Sequence, residues 1–352
     1  MVPPGEFLGI VPSWVIVYLA TLVCFGVATA ILYIRMFRPI LSGRPSGRLD
    51  QLPRRILGSF PYIFGQKKVL QSTDVARDRA GVAHAIIFWG FLSFSLSYLI
   101  FIYGDSINNQ FSSSLLTGKG IKVFGAYLDI LSVSLLVVIL LAVLRRWVFT
   151  ANRLRFDLTQ KSEAAIILTL IALLMVTTIL AEAFYVAAAN THSHSFIGNV
   201  LGDWLETTGI TDSSATYIYE ASWWIHLAII LGFSVYIPIS KHVHLVGAPL
   251  AFVTRQLGAR GTLTTITDFE EAESFGASRM KDFNQKQLLD AFACAVCGRC
   301  TDVCPANLTG KMLSPMHVVQ GMRYHIADAT SAESEEDIPS VIGSRIEREA
   351  VW

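Results

Sequence analysis

Four of the five cysteines in this chain lie close together, in the stretch FACAVCGRCTDVCPAN. Their spacing is C-x2-C-x2-C-x3-C-P, and the four residues are Cys294, Cys297, Cys300 and Cys304. Thiolates at the first two spacings fit three corners of a cubane iron–sulfur cluster, and a proline directly after the last cysteine is typical of such motifs. Zinc, the competing interpretation, more often uses two C-x2-C pairs separated by a longer gap. The motif therefore predicts a [4Fe–4S] cluster.

The fourth cysteine of this motif raises a question of ligand number. In proteins with two clusters, the fourth cysteine of such a run binds the other cluster. Cys294, Cys297 and Cys300 would then hold one cluster, and Cys304 would face a second. The remaining cysteine, Cys24, lies in an apolar stretch and is expected to pack there. Three alternatives stay open: the native polypeptide continues past Trp352, a partner supplies thiolates, or all four cysteines bind one cluster.

Composition indicates a membrane protein. The chain is 53% hydrophobic and only 16% charged, whereas soluble domains carry about 25% charged residues. The net charge of +1 gives no reason to expect a nucleic-acid partner. Five cysteines, four of them at ligand spacing, favour metal in a reducing compartment over disulfides. The first apolar stretch lacks a basic flank and a cleavage site, so we expect a retained span rather than a signal peptide.

We predict five membrane spans, because five apolar stretches reach the roughly 20 residues that a helix needs to cross a bilayer. Their approximate bounds are 12–34, 81–103, 123–144, 164–188 and 217–240. Lys and Arg are abundant after the first and third spans and scarce after the second and fourth. By the positive-inside rule, the N-terminus lies outside and the cysteine motif lies in the cytoplasm.

Histidines at membrane depth suggest haem. His226 and His244 are 18 residues apart, which on a continuous helix places them on one face, about 27 Å from each other. His84 begins the second span at the depth expected for His244. Two histidines from two helices at one depth can hold a six-coordinate b-type haem. The alternative for each histidine taken singly is a helix–helix hydrogen bond.

His226 has no histidine at its own depth on the second span. It is a candidate ligand of a second, five-coordinate haem, a partner of His192 or His194, or a hydrogen-bond donor to a quinone. Ionisable residues within a span are a functional hypothesis by default. With His226, the candidates for quinone binding and proton exchange are Asp129, Glu182 and Lys122. The alternative for Lys122 is an ordinary interfacial residue.

Two blocks of sequence resemble known families. GVAHAIIFWGF and WWIH…YIPISKHVH are similar to the haem b membrane subunits of respiratory nitrate reductase and heterodisulfide reductase. LLDAFACAVCGRCTDVCPANLTGKMLSP resembles the α-helical ferredoxin part of heterodisulfide-reductase-type proteins. Their fusion resembles the membrane oxidoreductases that link electron-transfer flavoprotein to menaquinone. In that family a second cysteine run and a cysteine-rich catalytic region follow. The nitrate reductase subunit has two histidines on each of two helices, whereas span two here has only His84.

The resemblance implies an all-α membrane protein, with a five-span helical bundle followed by a small cytoplasmic α-helical ferredoxin-like domain. We expect a haem b domain over 1–246, a linker over 247–283, and an iron–sulfur domain over 284–352 that is incomplete at its C-terminus. The expected cofactors are [4Fe–4S] cluster(s), one or two b-type haems and menaquinone. The expected location is the cell (inner) membrane.

The expected function is electron transfer between a cytoplasmic redox protein, such as electron-transfer flavoprotein, and the menaquinone pool. One alternative is menaquinol oxidation that delivers electrons to a cysteine-rich reductase of disulfides or sulfur compounds. An alternative of another class is a non-catalytic membrane anchor or redox sensor.

Overall fold

The computed structural model describes residues 4–7, 10–71, 79–105, 111–149, 158–259, 270, 277, 280–332, 334 and 337–351. These residues are mostly helical, and the strands among them form one short antiparallel pair, β1 (Glu6–Phe7) and β2 (Val11–Pro12). The described residues divide into two compact units. The first unit gathers those within 4–26, 69–149 and 158–235, and the second those within 27–68 and 236–351.

The helices follow one another along the whole described chain. The first are α1 (Ser13–Leu32), α2 (Arg38–Ser42), α3 (Leu52–Ile63), α4 (Lys67–Gln71), α5 (Ala80–Ser97), α6 (Phe111–Leu115) and α7 (Gly118–Val143). The next are α8 (Leu158–Ala189), α9 (Phe196–Thr207), α10 (Asp212–Tyr236) and α11 (His244–Val253). The last are α12 (Gln285–Ala293), α13 (Arg299–Asp302), α14 (Pro305–Leu308), α15 (Pro315–Ser331), α16 (Val341–Ser344) and α17 (Arg348–Val351).

Two other kinds of helical turn join these elements. π-helical segments extend three of the long helices, at Tyr33–Phe37, Tyr98–Gly104 and Leu144–Val148. Short 3-10 turns occupy Ile237–Ile239, Lys241–Val243 and Met280–Asp282.

Five helical segments are long and apolar enough to cross a membrane, which confirms the predicted number of spans. They are Ser13–Ser42, Ala80–Gly104, Gly118–Val148, Lys161–Ala189 and Asp212–Ile239. Inside a bilayer each backbone N–H and C=O must be satisfied within its own segment, so an apolar stretch of this length forms a helix. The chain is therefore a multi-pass membrane protein.

The fifth span does not continue as one helix to His244. α10 ends at Tyr236, and Pro238 lies in the 3-10 turn that follows, where its missing N–H cannot continue the helical ladder. Ser240 is extended, and its hydroxyl accepts the N–H of His242 at 3.1 Å, which starts a new turn. The predicted helical face shared by His226 and His244 is therefore wrong, because the 18-residue argument assumed an unbroken helix.

The second unit is built around α12. Its N-terminus carries a capping box, in which the side chains of Asn284 and Gln287 each accept from the other's backbone N–H. Leu288 and Phe292 project from this helix into a buried apolar cluster that also contains Met36 and Ile326. α12 ends directly before Cys294, the first cysteine of the motif.

α11 packs closely against α12 at Gly247. A Cβ atom at this position would collide with the carbonyl of Phe292, so only glycine allows the approach. Residues 244–253 are thus helical, and the expected linker begins later than residue 247. Of its remainder, 254–259, 270, 277 and 280–283 are described, and the other residues of the predicted linker lie outside the described part of the chain.

Candidate functional site

The cysteine loop starts where α12 ends. Cys294 follows the helix in an extended conformation, and Cys300 lies within the short helix α13. Two positions between them have left-handed backbone: Val296 with φ +55° and Gly298 with φ +74°. A valine in this region is uncommon and costs free energy, so the surrounding structure must hold it there.

The loop directs one backbone N–H group toward sulfur. The N–H of Val296 donates to the Sγ of Cys294 at 3.4 Å. Successive N–H groups in turn conformations that include left-handed residues form concave nests, which bind anions and iron–sulfur clusters. The residues present therefore fit a cluster held by Cys294, Cys297 and Cys300, since a cluster needs both thiolates and N–H donors to its sulfides.

Neighbouring cysteines and Arg323 act on the thiol of Cys294. Burial raises the pKa of the Cys294 thiol, and the neighbouring Cys297 and Cys300 raise it further, while the N–H of Val296 and the charge of Arg323 oppose the shift. Cys304 precedes α14, whose first residue is Pro305. The assignment of Cys304 to a second cluster stays a prediction.

Among the described residues, no group of three or more His, Cys, Asp or Glu side chains gathers tightly enough for one ion. Tetrahedral zinc would need its thiolates about 2.3 Å from a common centre. A cubane cluster spreads its thiolates over different iron atoms and does not require that convergence.

His244 lies in the second unit with the cysteines, whereas His84 lies in the first, where its side chain is exposed. The Nδ1 atom of His244 lies 2.8 Å from the carbonyl oxygen of Lys241. A carbonyl only accepts, so Nδ1 carries the proton and Nε2 carries the lone pair that an iron would need. This geometry fits His244 as a ligand. The assignment of His84 and His244 as a haem pair stays a prediction.

Arg323 on α15 is the charged group that acts on both candidate cofactor ligands of this unit. Burial lowers the pKa of His244, and the charges of Lys241 and Arg323 lower it further. The same guanidinium acts on Cys294. The residue is half-buried, and its Nη1 atom is buried without a hydrogen-bond partner in the described structure.

The first unit contains a cavity of about 620 Å³ among its long helices. This volume lies within the range of small-molecule sites. Aromatic side chains and ionisable groups share the lining, which includes Phe94, Tyr98, Asp129, Glu182, His192 and His194. The structure therefore brings together two of the four residues predicted for quinone and proton chemistry.

Asp129 is engaged in holding a helix. Its carboxylate accepts from the hydroxyl of Ser195 and, at 3.0 Å, from the N–H of Ile197 in the first turn of α9. Ser195 in turn caps α9 by accepting the N–H of Gly198 at 2.8 Å. A carboxylate is stabilised at a helix N-terminus, where N–H groups lack partners. Asp129 therefore has a structural role that the sequence did not reveal.

Small residues bring this segment against the spans. A Cβ at Gly198 would collide with Glu182, and one at Gly202 would collide with Val186. A Cβ at Gly125 of α7 would collide with the backbone of His194. These three glycines allow α9 and the loop before it to approach α7 and α8 closely. As a result, Glu182 and His194 lie together in the cavity wall.

Glu182 and His194 are the ionisable pair at this wall. Ser193 provides a side-chain hydrogen bond to Glu182. Partial burial holds the pKa of His194 below its ordinary value, although the carboxylate of Glu182 opposes the shift. Lys122 is exposed and is not among the residues that line the cavity, but its charge acts on His194.

His226 lies behind the cavity wall, 2% exposed, between two hydroxyl groups. Its Nε2 is 2.9 Å from the Tyr98 hydroxyl, and its Nδ1 is 2.8 Å from the hydroxyl of Thr177. The Thr177 hydroxyl donates to the carbonyl of Leu173 at 2.7 Å, so it accepts from Nδ1. Nε2 then accepts from Tyr98. Both nitrogens are occupied, which favours a hydrogen-bonding role for His226 over iron ligation.

Sequence reasoning missed Tyr98, Thr177 and Ser195. Tyr98 and Thr177 are two among many aromatic and hydroxyl residues in the spans, and nothing in their spacing marks them. Ser195 was recognisable as a helix N-cap, since a serine precedes the apolar run of α9. Its link to Asp129, 66 residues earlier, depends on tertiary packing.

Fold and site together define a multi-pass helical membrane protein with an iron–sulfur-type cysteine loop. The chain is 31% identical over 320 residues to "Probable iron-sulfur-binding oxidoreductase FadF" of Bacillus subtilis (strain 168), an alignment that covers 90% of this chain and 42% of that protein. It is 30% identical over 310 residues to "EtfAB:quinone oxidoreductase" of Syntrophomonas wolfei, with 82% of this chain and 41% of that protein covered.

A shorter similarity covers 21% of the chain and 11% of the relative. Over 76 residues it is 38% identical to "Probable membrane-anchored ferredoxin" of Chromohalobacter salexigens. No family model and no solved structure matches the chain. The chain spans about two-fifths of the length of the first two relatives. The names of these relatives support an iron–sulfur oxidoreductase.

Proposed function

We propose that this chain transfers electrons between electron-transfer flavoprotein and the menaquinone pool. The observation that carries the proposal is the cysteine loop, in which the N–H of Val296 donates to Cys294 and in which Cys297 and Cys300 are close enough to act on the Cys294 thiol. The similarity to an oxidoreductase named for electron-transfer flavoprotein and quinone supports the two redox partners. Five apolar helices support a location in the membrane, where menaquinone is dissolved.

In this proposal, Cys294, Cys297 and Cys300 hold a [4Fe–4S] cluster, and His244 with His84 holds a b-type haem. The cluster, when bound, supplies one-electron transfer. The protein's own contribution is to hold the thiolates, to donate N–H groups to them, and to place the charge of Arg323 nearby. These features stabilise added negative charge on the cluster, because a positive charge and N–H dipoles nearby attract it.

The quinone is proposed to bind in the cavity of the first unit. Reduction of a quinone to a quinol takes up two electrons and two protons, so the site needs proton donors beside an apolar ring pocket. Phe94 and Tyr98 offer ring contacts, and Glu182 and His194 exchange protons. His226 holds the Tyr98 hydroxyl in place through its Nε2. Asp129 fixes the loop that carries His194.

Cysteine-to-serine variants of the protein purified from its native membrane test the proposal. Cys294→Ser, Cys297→Ser and Cys300→Ser should each remove the same reduced-cluster EPR signal and the reduction of a menaquinone analogue by reduced electron-transfer flavoprotein. Cys304→Ser should leave that signal in place, while Cys24→Ser, the matched control, should change neither iron content nor turnover. Full iron and turnover in the first three variants would contradict the proposal.

A further inference from the structure

α3 presents an apolar face to solvent in the described structure. Using 100° per residue, five apolar side chains fall within an arc of about 140° on this helix and its first following residue. They are Leu52, Ile56, Leu57, Phe60 and Phe64. Leu57 is 69% exposed and Phe60 is 55% exposed. A contiguous apolar face of this kind in contact with water marks an interaction surface.

The opposite face of α3 is firmly attached to α11 and the residues that follow it. The buried guanidinium of Arg55 donates to the carbonyl of Arg255 and to both the carbonyl and carboxylate of Asp50. Arg255 donates to the hydroxyl of Ser59 at 2.7 Å. The rings of Tyr62 and Phe252 stack with centroids 5.1 Å apart. The apolar face is therefore held outward by the fold and cannot turn inward.

The sequence around α3 carries mostly positive charge. Between Arg35 and Gln71 the sequence holds eight Lys and Arg residues and a single acidic residue, Asp50. That carboxylate is paired with Arg55 at 2.7 Å. An amphipathic helix with an apolar face and basic residues beside it lies in the interface of a membrane that contains anionic lipids.

The chain itself brings α3 to a membrane surface. The first span ends at Ser42, and α3 starts at Leu52, so nine residues connect them. Nine extended residues reach at most about 30 Å, so α3 stays near the surface where the first span leaves the membrane. A soluble partner would have to compete with the adjacent lipid for this apolar face.

We infer that α3 lies in the headgroup layer of the membrane, with Leu57 and Phe60 directed toward the acyl chains and anionic lipid beside its basic residues. A series of packing contacts leads from α3 to the cysteine loop. α3 is attached to α11, Gly247 of α11 packs on Phe292 of α12, and Cys294 follows α12. α3 thus docks the cysteine loop on the membrane, and only the use of this docking for electron transfer rests on the proposed function.

Photo-crosslinking of the full chain in proteoliposomes tests the inference. Leu57→p-benzoylphenylalanine should form covalent lipid adducts that mass spectrometry detects. Glu347→p-benzoylphenylalanine, at an exposed polar position of the same unit, is the control and should form none. The inference would be overturned if illumination gave no lipid adducts at position 57, or gave adducts to a protein there instead. This readout does not depend on the cluster or on quinone, so it can fail or succeed independently of the proposed function.

A second experiment varies the lipid composition of the vesicles. Vesicles that contain phosphatidylglycerol should raise the adduct yield at position 57 several-fold over vesicles of phosphatidylcholine alone. The pair of changes Lys67→Gln and Lys68→Gln should reduce that difference, since it removes two basic residues beside the helix. Equal yields in both lipids would overturn the role given to the basic residues. The Leu57 and Phe60 side chains are outside the core, so variants at these positions retain the fold.

Discussion

The hydroxyl of Ser195 lies 2.9 and 3.0 Å from the two carboxylate oxygens of Asp129. This contact joins the middle of the third span to the N-terminus of α9, and the N–H of Ile197 completes it at 3.0 Å. This contact indicates different roles for the two acidic residues Asp129 and Glu182 of the cavity. Asp129 anchors a helix, while Glu182, beside Ser193 and His194, remains the candidate for proton exchange with quinone.

Replacing the carboxylate of Asp129 and that of Glu182 with the corresponding amides should have different effects. Asp129→Asn removes a charged acceptor of two hydrogen bonds, and charge-assisted bonds contribute about 1.5–3 kcal/mol each. We expect a lower midpoint of thermal unfolding for this variant. Glu182→Gln should keep that midpoint and slow quinone turnover. Both variants are measured on the protein in detergent. Ser195→Ala removes the other half of the anchor and should also lower the midpoint of unfolding. Wild-type turnover in Glu182→Gln would refute the proton role.

The histidine variants should differ in haem content. His244→Ala and His84→Ala should each abolish the α-band of the low-spin b-type haem in absorption spectra of the dithionite-reduced native protein. His226→Ala should retain it, because both ring nitrogens of His226 already bond Tyr98 and Thr177. Loss of the band in the His226 variant, with the His244 variant unaffected, would reverse the assignment. An absence of haem from the wild-type protein would favour a membrane anchor.

Arg323 should set the reduction potential of the cluster. Its charge acts on Cys294, and its Nη1 is buried without a hydrogen-bond partner in the described structure. Arg323→Gln removes a positive charge that stabilises the reduced cluster, so the midpoint potential should fall by tens of millivolts. EPR-monitored redox titration measures it. Arg345→Gln, an exposed arginine paired with Asp328, is the control and should leave the potential unchanged.

His325 should make the second unit sensitive to acid. It is 1% exposed, and neither ring nitrogen has a hydrogen-bond partner in the described structure. Burial lowers its pKa, with Asp328 opposing and Arg345 adding to the shift. The unfolded chain, with an ordinary pKa of about 6.5, then binds a proton more readily than the folded one. Stability is full above that value and falls as the pH drops below it.

His325→Leu should raise the unfolding midpoint at pH 8, because it removes two unsatisfied buried nitrogens. It should also remove most of the loss between pH 7 and pH 5. His317→Leu makes the same substitution at an exposed position of the same helix and should alter neither. An acid-induced loss of unchanged size in the His325 variant would mean that other groups are responsible.

The sequence by itself determined the features that depend on local composition. Apolar stretches long enough to cross a bilayer must form helices there, so the number of spans followed from hydropathy. The cysteine spacing predicts the cluster ligands, because C-x2-C-x2-C is a local constraint on backbone and thiolates.

Tertiary structure decided which residues meet. The alignment of His226 with His244 failed because Pro238 and Ser240 end one helix and start another, which an 18-residue count cannot detect. The role of Asp129 depends on Ser195, 66 positions away, and on glycines that let α9 approach the spans. Likewise, the outward face of α3 depends on Arg255 holding its other face. Hydropathy reports the average environment of a segment, whereas such contacts depend on packing between segments distant in sequence.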